Sequence, residues 1–240
     1  MTLIHEPLTP TDVAPALTDD RITFDLYRDI HKAIRSELFA VTEEAGRTDP
    51  SDRVARHALF AQVADVMGLL VEHAEHEDGA IGPVLDRELP DLQARIVDEH
   101  DALEHRIEGL RDQAATVAAA PVGRSRRDLH RLYVELASFT SAYLAHQDLE
   151  ERVVMPALEV AVGLEQVMAI HGAIVGPMPP EQMARSVALM LPAMNVDDRA
   201  EFFTGMAAGA PPEVVDGVWG LAGTVLAPAD LAALAHRLGR

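Results

Sequence analysis

Apolar residues recur about every 3.6 positions along four long stretches of the chain, a spacing that predicts four long helices. The predicted helices cover residues 23–44, 52–77, 90–120 and 126–160. Ser51 or Asp52 provides an N-cap for the second helix, and Pro90 or Asp91 begins the third. Long helices joined by short loops favour an all-α fold, arranged as an up-down four-helix bundle.

The residues outside these helices divide the chain further. Three prolines among Thr and Asp in residues 1–20 indicate an extended lead-in, and Gly and Pro gather in residues 164–180, which indicates a linker. Shorter helical segments are expected beyond it, over residues 181–194, 197–208, 211–226 and 228–238. We therefore predict a lead-in at 1–20, a bundle at 21–163, a linker at 164–180 and a C-terminal helical extension at 181–240.

Composition excludes several classes of function. Asp and Glu number 39 against 20 Lys and Arg, and a formal charge of −19 disfavours nucleic acid and anionic membrane surfaces as partners. The chain has no Cys, which excludes disulfides, Cys-ligated zinc and iron–sulfur clusters. Residues 1–10 have no secretory signal pattern, and no long apolar stretch is free of charge. These features predict a cytoplasmic protein without a membrane span.

One motif occurs twice, 73 residues apart. His73 is followed four positions later by Glu77, and His146 is followed in the same way by Glu150. A second acid and then Pro-x-Leu follow each pair at the same distance, where we expect the Pro to end the helix and the Leu to pack. Residues four apart lie on one face of a helix, so each pair can offer an imidazole nitrogen and a carboxylate oxygen to one metal ion.

A lone histidine accompanies each pair on the preceding long helix. His31 and His100 lie 69 residues apart within similar local sequences. The chain thus contains two copies of a helical hairpin, and two half-sites facing each other can hold two metal ions in a bundle core. Imidazoles mixed with carboxylates suit iron or manganese, with zinc less favoured. Carboxylates can also bridge two cations and offset their mutual repulsion.

This ordered pattern over residues 20–160 resembles the hemerythrin-like (HHE cation-binding) domain family, a four-helix bundle with a non-haem di-iron centre. The metal ligands that follow from the resemblance and the repeat are His31, His73, Glu77, His100, Glu104, His146 and Glu150. Oxygen-carrying members of the family have a second His where this chain has Glu104, and His105 is one position too far along. Glu104 is therefore either a ligand or a neighbour of one. Those members also place the last carboxylate at the position of Glu151, whereas the repeat favours Glu150.

The resemblance implies two iron ions, bridged by oxo or hydroxo groups and carboxylates, that bind or react with dioxygen, nitric oxide or hydrogen peroxide. Turnover as a peroxide- or nitric-oxide-reactive oxidoreductase stays open. An iron-responsive sensor or storage protein, whose metal occupancy controls partner binding, is the alternative.

Several other residues near the motifs need an interpretation. We expect Asp78 and Glu151 to orient imidazoles. Tyr27 and Tyr143 share the ligand faces, and we expect them to pack in the core, with contact to a bound ligand as the alternative. The methionines of the C-terminal part are expected to fill its core. The remaining histidines away from the two motifs are not expected to bind metal; they are His5, His57, His130, His171 and His236.

Overall fold

The structure is a computed structural model that describes residues 22–240, so the predicted lead-in at 1–20 lies outside the described residues. Every regular element in this part of the chain is helical, and the all-α prediction is confirmed there. The α-helices are α1 (Arg28–Arg47), α2 (Arg53–Ala80), α3 (Gly82–Glu88), α4 (Pro90–Ala119), α5 (Val122–Leu149), α6 (Met155–Val175), α7 (Pro180–Ala193), α8 (Val196–Gly209), α9 (Pro212–Val225) and α10 (Pro228–Arg237). A π-helical turn, Glu150–Val154, joins α5 to α6.

Four long helices, α1, α2, α4 and α5, form the unit that carries the two repeated motifs. Each packs against two of the others, in the cyclic order α1, α2, α4, α5. Asp52 caps α2 as predicted, since its side chain accepts hydrogen bonds from the N–H groups of Val54 and Ala55. Buried Leu, Val, Ile and Phe side chains fill the interior, and Phe139 of α5 is fully enclosed among them.

A second apolar cluster closes one end of this four-helix unit. It consists of residues from α3, α6 and their neighbours, including Ile81, Leu85, Met155 and Leu158. The prediction that the two Pro-x-Leu segments end helices was wrong, because each Pro stands in the first turn of the next helix, α3 or α6. Proline fits there because a first-turn N–H has no partner within the helix. The two leucines pack as expected.

The segment predicted as a linker begins with helix. α6 continues to Val175, through the first part of residues 164–180, and it bends at Gly163, whose φ of 75° lies in the left-handed region that glycine adopts without strain. Gly and Pro interrupt the helix only between Val175, where α6 ends, and Pro180, where α7 begins. Apolar residues such as Val167 and Ile170 are buried against the second cluster, so packing keeps this stretch helical.

The C-terminal unit, α7 to α10, has an apolar core of its own. Leu191, Phe203, Ala222 and Leu234 lie at its centre. Met183, Met190 and Met194 lie in or against this core, as predicted, whereas Met168 of α6, for which core packing was also predicted, is exposed. The unit docks on the four-helix unit through contacts of α7 with α1 and through several ion pairs.

Two helical stretches are long and apolar enough to cross a membrane by length and composition, Arg53–Ala80 and Val122–Val175. Core helices of water-soluble proteins pass the same test, so two such stretches are weak grounds for a membrane role. The first of them places His73 and Glu77 in the buried interior of the four-helix unit. The cytoplasmic location stays a prediction.

Candidate metal centre

Six of the seven predicted ligand residues converge on one point inside the four-helix unit. α1, α2, α4 and α5 each contribute an imidazole, α2 also contributes a carboxylate, and the first residue of the π-helical turn contributes the other. None of these side chains belongs to a residue more than 9% exposed. The six are His31, His73, Glu77, His100, His146 and Glu150.

The six side chains form two overlapping groups. Ligand atoms of His31 and His73 lie within 4.8 Å of one another and of the carboxylates of Glu77 and Glu150. His100 and His146 form a second group of the same size with the same two carboxylates. Each group could surround one cation, and the shared carboxylates could contact both.

The imidazoles of each group approach one another through their Nε2 atoms. Nε2 of His31 lies 3.2 Å from Nε2 of His73, and the corresponding distance between His100 and His146 is also 3.2 Å. Two nitrogens bound to one ion at about 2.1 Å, with a tetrahedral or octahedral angle, are separated by about 3.0–3.4 Å. The spacing of each pair therefore fits two ligands of one metal ion.

Three of the four imidazoles have a carboxylate within hydrogen-bond distance of Nδ1, the ring nitrogen that faces away from the centre. Nδ1 of His31 lies 3.0 Å from Oε1 of Glu151, and Nδ1 of His100 lies 2.9 Å from Oδ1 of Asp78. Nδ1 of His146 lies 3.0 Å from Oε2 of Glu99. A carboxylate accepts a hydrogen bond, so each of these Nδ1 atoms carries a proton and Nε2 is the ring nitrogen that can bind a metal. The expected positions of Asp78 and Glu151 thus match the structure.

Glu150 and Glu151 have different surroundings. Glu150 is 1% exposed and faces the two groups, whereas Glu151 turns outward to His31 and Arg35. Burial alone would raise the pKa of Glu151, but hydrogen bonds from His31 and Arg35 lower it to about 2. The structure therefore brings Glu150, the residue that the repeat favoured, into the centre and leaves Glu151 behind an imidazole.

The two central carboxylates have few hydrogen bonds for their degree of burial. Within the described chain, both oxygens of Glu77 and Oε2 of Glu150 are buried without a hydrogen-bond partner. Nε2 of His73 is 3.0 Å from Oε1 of Glu77, but the contact does not have hydrogen-bond geometry. Burying a carboxylate without partners is costly, and cations between these oxygens would remove that cost. The donor set therefore fits a pair of metal ions.

In the buried centre the pKa values of the two carboxyl groups shift in opposite directions. Burial and the nearby Glu150 raise the pKa of Glu77 well above its usual range. Burial also acts to raise the pKa of Glu150, but interactions with His100 and His146 outweigh it and lower the pKa. Without metal the centre thus favours one neutral and one charged carboxyl group, an arrangement that reduces repulsion between them.

Glu104 lies outside both groups. It is exposed on α4, as is His105, and it lines a cleft that also reaches His100. Tyr27 and Tyr143 are buried, with ring centroids 5.0 Å from that of His31 and 5.8 Å from that of His146, respectively. Burial raises the pKa of each phenol first, and the central carboxylates raise it further.

Glu99 is the residue at the centre that the sequence analysis missed. It directly precedes His100, yet its carboxylate contacts His146 of the neighbouring helix. The acid that follows each His-x-x-x-Glu pair was visible because the motif repeats. Glu99 has no acidic counterpart before His31, where the residue is Ile30, so the repeat gave no signal.

Most of the chain matches the model of a known protein family. The family model of the hemerythrin HHE cation-binding domain matches residues 23–173, which include all six residues of the two groups. No curated protein and no solved structure matches the chain.

Proposed function

The chain belongs to the hemerythrin HHE cation-binding domain family, and we propose that it is a non-haem di-iron protein. We propose further that it binds or reacts with a small oxidant: dioxygen, nitric oxide or hydrogen peroxide. The observation that carries the proposal is the pair of buried groups that share Glu77 and Glu150. Iron suits mixed imidazole and carboxylate donors, and manganese or zinc is less favoured. The cyclic packing of the four long helices supports an up-down bundle as the frame.

When bound, an iron pair supplies redox chemistry and an open coordination position for the oxidant. The residues of the chain prepare the site for it. Hydrogen bonds at Nδ1 hold the rings of His31, His100 and His146 with Nε2 facing inward. Glu77 and Glu150 provide negative charge between the two groups, and the surrounding apolar side chains bury most of the site. These roles depend on rigid helices, which position side chains more accurately than loops do.

Iron analysis of the purified chain tests the proposal, together with its electronic spectrum before and after peroxide and nitric oxide. We expect bound iron and spectral changes with at least one oxidant. The double variant His73→Ala/Glu77→Ala should lose iron. Its matched control is His57→Ala/Asp65→Ala, which changes the same residue type and another acid at exposed positions of the same helix. A His73→Ala/Glu77→Ala protein that retains the iron of the control would contradict the proposal.

A second candidate function is an iron-responsive sensor or store whose metal occupancy controls partner binding. The contact between the C-terminal unit and α1 supports it. Lys32, directly after His31, pairs with Asp198 of α8, and Arg28 pairs with Glu201 at 2.9 Å. Metal ligands must gather as the protein folds, so metal loss would loosen α1 and with it the surface that the C-terminal unit occupies.

Chelation distinguishes the two candidates. The sensor predicts partial unfolding of the iron-free chain, seen as lost helical circular dichroism and new proteolytic cuts near residues 176–180, without reactivity towards peroxide or nitric oxide. The oxidant-binding protein predicts that reactivity, lost on chelation and restored with iron.

A further inference from the structure

A cleft between α2 and α4 opens on the protein surface and reaches one residue of the candidate metal centre, His100. It encloses about 530 Å³ of space that is partly open to solvent. Its buried end carries His100, a member of the second group, and Tyr143. The cleft is therefore an opening through which solvent approaches the centre.

Carboxylates dominate the mouth of this cleft. Glu75, Asp78, Asp101 and Glu104 line it, all four are exposed, and no Lys or Arg is among the lining residues. A second, smaller cavity of about 210 Å³ is lined by both shared carboxylates, Glu77 and Glu150, by Asp78 and by apolar residues such as Ile81 and Leu85. A narrow opening with charges of one sign focuses the electric potential and raises the local concentration of counter-ions.

The acidic lining continues to the ligand atoms. Asp78 has a side chain that is 51% exposed, yet its Oδ1 is 2.9 Å from Nδ1 of His100. Behind this ring, Oε2 of Glu77 lies 3.6 Å from Nε2 of His100. Glu77 is 6% exposed, and its carboxylate has no hydrogen-bond partner within the described chain. Asp78 lines both cavities, so the exposed acids of the cleft lead through it to the buried carboxyl groups of Glu77 and Glu150.

We propose that this cleft is the route by which divalent cations reach the centre, with Glu75, Asp101 and Glu104 attracting them at the mouth. The inference rests on the proposed function, because it needs a metal centre at the inner end. It gives Glu104 a role in uptake of the metal, at a position outside both ligand groups. Attraction of this kind accelerates binding of cations and leaves the arrival of neutral molecules such as nitric oxide unchanged.

Uptake kinetics of the metal-free full chain test the route. Fe²⁺ is mixed with the protein under nitrogen in a stopped-flow instrument, and a weak colorimetric indicator reports free Fe²⁺. The cleft variant is Glu75→Gln/Asp101→Asn/Glu104→Gln. Its control, Glu135→Gln/Glu165→Gln/Glu213→Gln, makes the same change in net charge at exposed positions outside the cleft. Iron content at equilibrium is measured for both variants and for the unmodified chain.

We expect the cleft variant to take up Fe²⁺ about tenfold more slowly than the control at an ionic strength of about 0.01 M. The difference should shrink at about 0.15 M, where the Debye length is about 8 Å. Equal rates for the two variants at low salt would overturn the route. A lower iron content of the cleft variant at equilibrium would overturn it too, because it would make these residues ligands. An unmodified chain that takes up no iron would contradict the proposed function itself.

Discussion

The two halves of the candidate centre have the same ligand types but different surroundings. The first half is α1 with α2, and the second is α4 with α5 and the π-helical turn. Each brings a lone His and a His-x-x-x-Glu pair, and the Nε2 atoms of its two imidazoles are 3.2 Å apart. Each half also supports the other, since Asp78 holds His100 and Glu151 holds His31. The repeated motif thus explains the ligands and their crossed support.

The halves differ at the second imidazole. Glu99 holds Nδ1 of His146, whereas no side chain of the described residues hydrogen-bonds Nδ1 of His73, and Ile30 occupies the matching position. Burial lowers the pKa of His73 to about 4. Burial also acts against protonation of His146, yet hydrogen bonds with Glu150 and Glu99 raise its pKa to about 9. A carboxylate partner makes an imidazole more basic, so we expect the second half to bind its ion more tightly.

The outer faces differ as well. The C-terminal unit covers part of the first half, because α7 packs against α1 and Gln182 reaches Glu72 of α2. The acidic cleft lies between α2 of the first half and α4 of the second, and among the four imidazoles only that of His100, in the second half, lines it. Two copies of one motif can therefore provide equal ligands while their neighbours set different basicity and different access to solvent.

The largest expected effect separates shared from unshared ligands. Glu150 belongs to both groups, whereas His73 belongs to one. Glu150→Ala should therefore abolish binding of both ions, and His73→Ala should leave the ion of the second half in place. Elemental analysis of iron per chain measures both. Glu165→Ala, at an exposed position on α6, is the control. A Glu150→Ala protein that holds as much iron as His73→Ala would show that the halves are independent.

A smaller effect should follow from removing the carboxylate that only the second half has. Glu99→Gln should weaken the binding of the second half's ion about 10- to 100-fold, which is the usual cost of losing the hydrogen-bond partner of a metal-bound His. Competition with a chelator measures the affinities of the two ions, and we expect the higher affinity to fall towards the lower one. Glu108→Gln, exposed on the same helix, is the control. An unchanged higher affinity would mean that Glu99 does not cause the difference.

Much of the centre was predictable from the sequence because its geometry is local. His73 and Glu77 share a helix face whatever the rest of the chain does, and the repeat extends the inference to His146 and Glu150. The same offset also identified the acids that follow each pair. Periodicity alone predicted the long helices as well, since the faces they bury are continuous.

Features that depend on contacts between helices were not predictable. Glu99 serves His146 only because α4 and α5 are neighbours with a particular rotation. Glu104 has a favourable spacing from His100, but its side chain is exposed and outside both groups. Hydrophobic periodicity also does not reveal the π-helical turn, because the turn spans only 5 residues, too few to define a period of their own.

The smallest expected effect concerns the arginines behind two of the outer carboxylates. Arg35 donates to both oxygens of Glu151, at 2.7 and 2.9 Å. Arg95 donates one hydrogen bond to Glu99 at 3.0 Å, and its side chain is 59% exposed. A bidentate pair that is partly shielded from solvent holds its carboxylate more firmly than an exposed single contact does. We therefore expect Arg35→Gln to destabilise the metal-free protein by about 1 kcal/mol, and Arg95→Gln by less.

The pH dependence of the free energy of unfolding tests whether Arg35 acts through the Glu151 carboxylate. The pKa of Glu151 is about 2 in the folded chain against an ordinary value of 4.5, so its interactions stabilise the fold above pH 4.5. That stability disappears as the pH falls through the folded pKa of about 2. Without Arg35 the folded pKa should rise, so the stability difference between Arg35→Gln and the unmodified chain should narrow as the pH falls below 4.5. Urea denaturation from about pH 7 to about pH 3 measures it. A difference that does not vary with pH, or an equal loss in Arg95→Gln, would show that Arg35 does not act through the Glu151 carboxylate.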